Sequence, residues 1–116
     1  MINQVVLVGR LTKPVDLRAT SSGKFVGSFT LAVNGFKDGD TDFINCIVWE
    51  KKAELIANYT EKGSKLGVSG QLKTRSYEGQ DGKRVYVTEV LVDQFEFMDK
   101  AKDKSLIEEN NFSSNI

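Results

Sequence analysis

Apolar and polar side chains alternate along most of the chain from Val5 to Phe97, the pattern of strands that turn one face to a core. The stretch 41–49 shows it best. Ile44, Cys46 and Val48 form a compact apolar face, whereas Phe43, Asn45, Ile47 and Trp49 form a face of two flat rings around an amide. Residues 24–34 predict a second main strand, with Phe25, Gly27, Phe29, Leu31 and Val33 on one side. Residues 3–11 predict an opening strand in which Gly9 marks a bulge or bend, and Pro14 ends that run. A short extended piece around Val15–Thr20 and a Ser21-Ser22-Gly23 turn follow. Of the turn signals Asn34-Gly35 and Asp38-Gly39, the second fits a hairpin tip that leaves Phe36 on the strand.

Residues 50–62 are the one good helix candidate, with Ala53, Ile56, Ala57 and Tyr59 as its apolar stripe and Gly63 as its C-terminal cap. Strands over 65–77 and 83–92, the latter extended by Phe95 and Phe97, flank a tip at Gly79, Asp81 and Gly82. The reading is all-β: five strands, one helix between strands 3 and 4, and a disordered tail from residue 100 to residue 116. This matches the five-stranded OB-fold barrel; another small barrel or an α+β sheet also fits the pattern. The domain division is 1–99 for the barrel and 100–116 for a short flexible tail.

Composition narrows the chemistry. The chain has 116 residues, 40% of them hydrophobic, enough for one domain with a real core. No apolar run approaches the length of a membrane span, and no secretory signal is visible. With one cysteine and no histidine, a zinc site, a Ser-His-Asp triad and a Cys-His pair are all but removed. A reducing cytoplasm suits the lone Cys46. The 16 basic and 16 acidic residues cancel, so an electrostatic case must rest on where charges sit rather than on how many there are.

Two sets of residues suit an unpaired nucleic-acid strand. Phe36, Phe43, Trp49, Tyr77 and Tyr86 are rings spaced along strands, and stacking one base on a ring contributes about 1–3 kcal/mol whichever base it is. Core packing is the competing reading, strongest for Tyr86, which alternates with Val85 and Val87. The basic set is Arg10, Lys51, Lys52, Lys73, Arg75, Lys83 and Arg84. Lys73, Arg75 and Tyr77 share one strand face and can hold phosphates and a stacked base together. The alternating Asp38, Asp40 and Asp42 begin like a calcium loop. Phe43 and Trp49 stand where that loop needs Gly and Glu, so an Asp-rich turn is the better reading and no metal or cofactor is expected.

The runs Met1–Lys13, Phe29–Asn34, Asp42–Trp49, Lys62–Ser64, Gly70–Tyr77 and Val87–Val90 occur in an order that resembles the bacterial and phage single-stranded DNA-binding proteins. The resemblance spans residues 1–98. It implies an OB-fold, a homotetramer and single strands wrapped around it. It maps base stacking onto Phe36, Phe43, Trp49 and Tyr77, and phosphate contacts onto Arg10, Lys51, Lys73 and Arg75. The Asn34–Asp42 hairpin is shorter than the family's, and Pro14 stands one place earlier than its proline. Cellular members end in an acidic, phenylalanine-containing tip that recruits replication and repair proteins; here the tail closes on Asn115-Ile116 with only Glu108, Glu109 and Phe112 as an echo. The resemblance therefore implies a non-enzymatic coat for single-stranded DNA in replication, recombination and repair, of phage or mobile-element type, with weak or altered recruitment of host proteins. Two rivals stand beside it: an OB module for a protein partner, and a nuclease using Asp38, Asp40 and Asp42.

Overall fold

Alternation becomes sheet. In the computed structural model, which describes residues 1–99, the elements run β1 Val5–Leu11, β2 Asp16–Ala19, β3 Phe25–Asn34, β4 Thr41–Trp49, α1 Glu50–Tyr59, β5 Lys65–Glu78 and β6 Arg84–Phe97. The expected tail, 100–116, lies outside the described residues. The strand order is β1-β5-β6-β4-β3-β2, and a further β1–β3 pairing closes the first five into a barrel. All neighbours are antiparallel except β4 and β6, which meet in parallel at Cys46↔Val90 and Ile47↔Leu91. This is the OB-fold, with the expected helix between β4 and β5. The short extended piece is a sixth strand, β2, paired with β3 from Asp16↔Ser28 to Ala19↔Phe25.

Closure occurs along β1. Residues Val5–Arg10 pair with β5, and Arg10–Leu11 pair with β3. Gly9 stands at that handover, where a Cβ would come within 2.7 Å of the Ala32 carbonyl oxygen. Its absent side chain therefore serves a close approach of two strands, not a bulge. Ahead of β1, the Asn3 side chain completes the ladder: its Nδ2 donates to the Leu72 carbonyl (3.0 Å) and its Oδ1 accepts from the Leu72 N–H (2.9 Å).

The core forms where alternating faces converge: Leu11, Phe29, Leu31, Cys46, Val48, Leu66, Val68, Val90 and Val92, lidded by Ala53 and Ile56 of α1. Each large side chain so buried contributes about 1.5–3 kcal/mol before entropy is counted. The helix is shorter than the predicted 50–62. Thr60 is extended, its hydroxyl donates back to the Ile56 carbonyl, and the helix stops at Tyr59. Gly63, predicted as the cap, instead takes a left-handed conformation (φ 90°) in the following turn and donates its N–H to the Leu11 carbonyl at 2.8 Å. At the other end no loop separates β4 from α1; Glu50 makes the turn alone, with φ 61°.

β5 and β6 outrun the barrel. Leu66, Val68 and Gly70 are buried, whereas every residue from Leu72 to Glu78 is exposed, so the hairpin continues outward as a two-stranded arm. A register shift at Ser69/Gly70 marks the change. A Cβ on Gly70 would lie 1.9 Å from the Leu91 carbonyl oxygen, closer than any side chain permits.

Candidate nucleic-acid interface

The outer face of β3 and β4 is set by their register, which places Val26 beside Trp49, Ser28 beside Ile47, Thr30 beside Asn45 and Ala32 beside Phe43. Because Ile44, Cys46 and Val48 turn inward, Phe43 and Trp49 turn out, and Trp49 is still 40% exposed. Thr30 Oγ1 donates to Asn45 Oδ1 at 3.0 Å and fixes the amide between the two rings. Lys51 follows Trp49 by two residues on the exposed side of the first turn of α1.

The arm supplies the other wall. Lys73, Arg75 and Tyr77 share one face, opposed across the hairpin by Glu89, Val87 and Val85. A groove of about 490 Å³ runs between arm and sheet, lined by Lys13, Thr30, Asn45, Arg75, Val87 and Glu89 among others. Arg75 Nε donates to Glu89 Oε1 at 2.9 Å, and the guanidinium carbon lies 5.9 Å from the centre of the Tyr77 ring. The hydrogen bond to Glu89, reinforced by its charge, raises the Arg75 pKa above its ordinary value. Burial, with the Glu89 charge second, pushes the Cys46 thiol up to about 12, so it stays protonated and unreactive at neutral pH.

The structure thus brings together Phe43 and Trp49 on one outer face and Lys73, Arg75 and Tyr77 on one arm face, with Lys51 at the margin. It does not place Phe36 on a strand. β3 ends at Asn34, the Gly35 N–H donates to the Asp40 carbonyl at 2.9 Å, and Phe36 projects fully exposed from the loop. Arg10 sits beside Ala32 in the ladder, but its guanidinium reaches toward the start of β5, donating to the Gly63 carbonyl (2.9 Å) with Asp99 at 3.7 Å. Lys52 of the basic set donates to the Asp93 carbonyl.

Tyr86 departs from core packing. It is 80% exposed, because it stands on the part of β6 that has left the barrel, where alternation with valines no longer signals a buried face. Glu89 and Lys13 were not singled out by sequence, although counting back from the Gly79–Gly82 tip pairs Glu89 with Lys73.

A family model for the single-strand binding protein family matches residues 2–98. Proteins named single-stranded DNA-binding protein are 58% identical in Bacillus cereus, over 85% of this chain and 61% of that protein, and 57% identical in Enterococcus faecalis, over 85% and 55%. The chain thus spans about three fifths of the length of these relatives. Single-stranded DNA-binding protein 3 of Streptococcus agalactiae is 43% identical over 99% of this chain and 87% of its own length. Matched across nearly all of its described residues, the chain belongs to the single-strand binding protein family.

Proposed function

We propose that the protein binds single-stranded DNA without strong sequence preference, as a coat during replication, recombination and repair. The observation that supports this reading is the set of exposed rings and cations on two outer surfaces, Phe43 and Trp49 on the sheet and Tyr77 with Lys73 and Arg75 on the arm, with Arg75 lining the groove between arm and sheet. Rings stack on any base and cations meet any phosphate, so the arrangement gives affinity with little sequence readout. Lys51 serves as a further phosphate contact beside Trp49. Phe36 and Arg10 contribute less, the first because it stands off the sheet and the second because Gly63 and Asp99 engage it.

A homo-oligomer, a tetramer by family resemblance, is supported by β1. Val6 and Val8 are exposed on its outer side, and among the described residues the edge away from β5 is paired only at Arg10 and Leu11. The matched relatives are bacterial proteins and lend no support to a phage or mobile-element origin.

Titration with oligothymidine tests the reading. Trp49 is the only tryptophan, so stacking quenches the whole indole signal. Log affinity falls with log salt by about 0.7 for each phosphate neutralised. Absence of both quench and salt dependence overturns the proposal in favour of a protein partner for the same surface, and a solution mass taken alongside checks the oligomer.

A further inference from the structure

The groove that reads as a polyanion site contains a buried carboxylate. Glu89 is only 7% exposed and lines the groove together with Arg75, Lys13, Thr30 and Asn45. Simple electrostatics makes this a liability, since a fixed negative charge beneath a phosphate path repels it. The geometry shows a different use. Glu89 accepts from Arg75 through Nε alone, at 2.9 Å, and Arg75 is the one hydrogen-bond partner of its carboxylate among the described residues. A guanidinium carries five N–H donors in a rigid plane. One is taken by Glu89, leaving the two terminal NH₂ groups without a hydrogen-bond partner among the described residues. The same bond fixes the plane near the Tyr77 ring, 5.9 Å from its centre. Arg75 is itself exposed on β5, so the bond to Glu89 is what orients so long a side chain.

We infer that Glu89 is a positioning residue for DNA binding: it tethers Arg75 by Nε so that the terminal guanidinium nitrogens present a fixed, bidentate phosphate clamp beside the Tyr77 stacking ring. The tether lowers the side-chain entropy lost when the strand arrives, and it exceeds the repulsion because the Glu89 charge is already neutralised by the pair. Lysine at 75 cannot replace arginine here, since an ammonium held by the carboxylate offers no second edge.

This inference rests on reading the groove as a single-strand site, and the experiment separates the two. Oligothymidine affinity and its salt dependence are measured for the wild type, Glu89→Gln, Glu89→Leu, Arg75→Ala, Arg75→Lys and the double variant Glu89→Leu/Arg75→Ala, with thermal unfolding of each. If the wild type fails to bind, the functional reading itself falls. If it binds, Glu89→Leu is expected to weaken binding about tenfold despite removing a negative charge, and Glu89→Gln, which keeps a weaker acceptor, by less. In the Arg75→Ala background the Glu89→Leu change has no further effect, and Arg75→Lys weakens binding without rescue. Tighter binding by Glu89→Leu, or an equal loss with and without Arg75, overturns the positioning role. Should Glu89→Leu not fold, the Arg75→Lys arm still decides, because affinity equal to wild type rules out a clamp.

Discussion

The two halves of β5 obey different rules. From Lys65 to Gly70 the strand is barrel wall: Leu66 and Val68 are buried, Gly70 has no room for a methyl group, and Gly67 underlies Met98. From Gln71 to Glu78 the same strand has lost its layers, and what holds it is the β6 ladder, the Asn3 side chain at its root and the Arg75–Glu89 pair. A continuous strand thus divides into a buried part that belongs to the barrel and an exposed part that carries the proposed binding face. Substitutions in the first half are expected to act on stability, and those in the second on binding.

The sharpest way to break that division is at its boundary. Gly70→Ala must displace the Leu91 carbonyl, and urea unfolding should show a loss of roughly 3 kcal/mol; unchanged stability means the register shift is not a fixed joint. On the arm, Tyr77→Ala should lower oligothymidine affinity by about 1–3 kcal/mol per site while unfolding changes by less than about 0.5 kcal/mol. If Tyr77→Ala destabilises the fold instead, the arm is part of the barrel's cooperative unit.

On the barrel side, Cys46 gives a test by pH. Its thiol is raised in the folded state from 9.0 to about 12, so the native protein keeps a proton that the unfolded chain releases. That contribution to stability is complete below the unfolded value and is lost as pH rises toward 12, at up to about 1.4 kcal/mol per pH unit. Cys46→Val should lack this part of the alkaline slope when urea unfolding is followed as pH rises. The smallest effect concerns the joint between β4 and α1. Glu50 is held at φ 61°, a conformation that costs a residue with a side chain about 1 kcal/mol. Glu50→Gly should recover much of that in thermal unfolding and leave the Trp49 quench intact; a lost quench shows that the acidic side chain, not the backbone turn, orients the ring.

How much the sequence revealed follows the same boundary. Inside the barrel, period-two alternation assigned Ile44, Cys46 and Val48 to the core-facing side of β4, of which Cys46 and Val48 are fully buried, and set Phe43 and Trp49 on the other face, which is exposed. Along the arm alternation still selected the Lys73–Arg75–Tyr77 face, but core packing was the wrong reading for Tyr86, which lies on the exposed face of β6 while Val85, Val87 and Glu89 turn to the sheltered one. The helix end was misplaced because Thr60, rather than Gly63, terminates it. The engagement of Arg10 by Gly63 and Asp99, and of Arg75 by Glu89, depends on side-chain reach that no spacing rule encodes.

The Asn3 amide has a practical corollary. Because a side chain impersonates a missing backbone partner at Leu72, the base of the β5–β6 ribbon is clasped by Asn3, ahead of β1. A purification handle joined ahead of Asn3 is expected to strain that clasp, so titrations are best compared with and without the handle before a weakened signal is assigned to the groove.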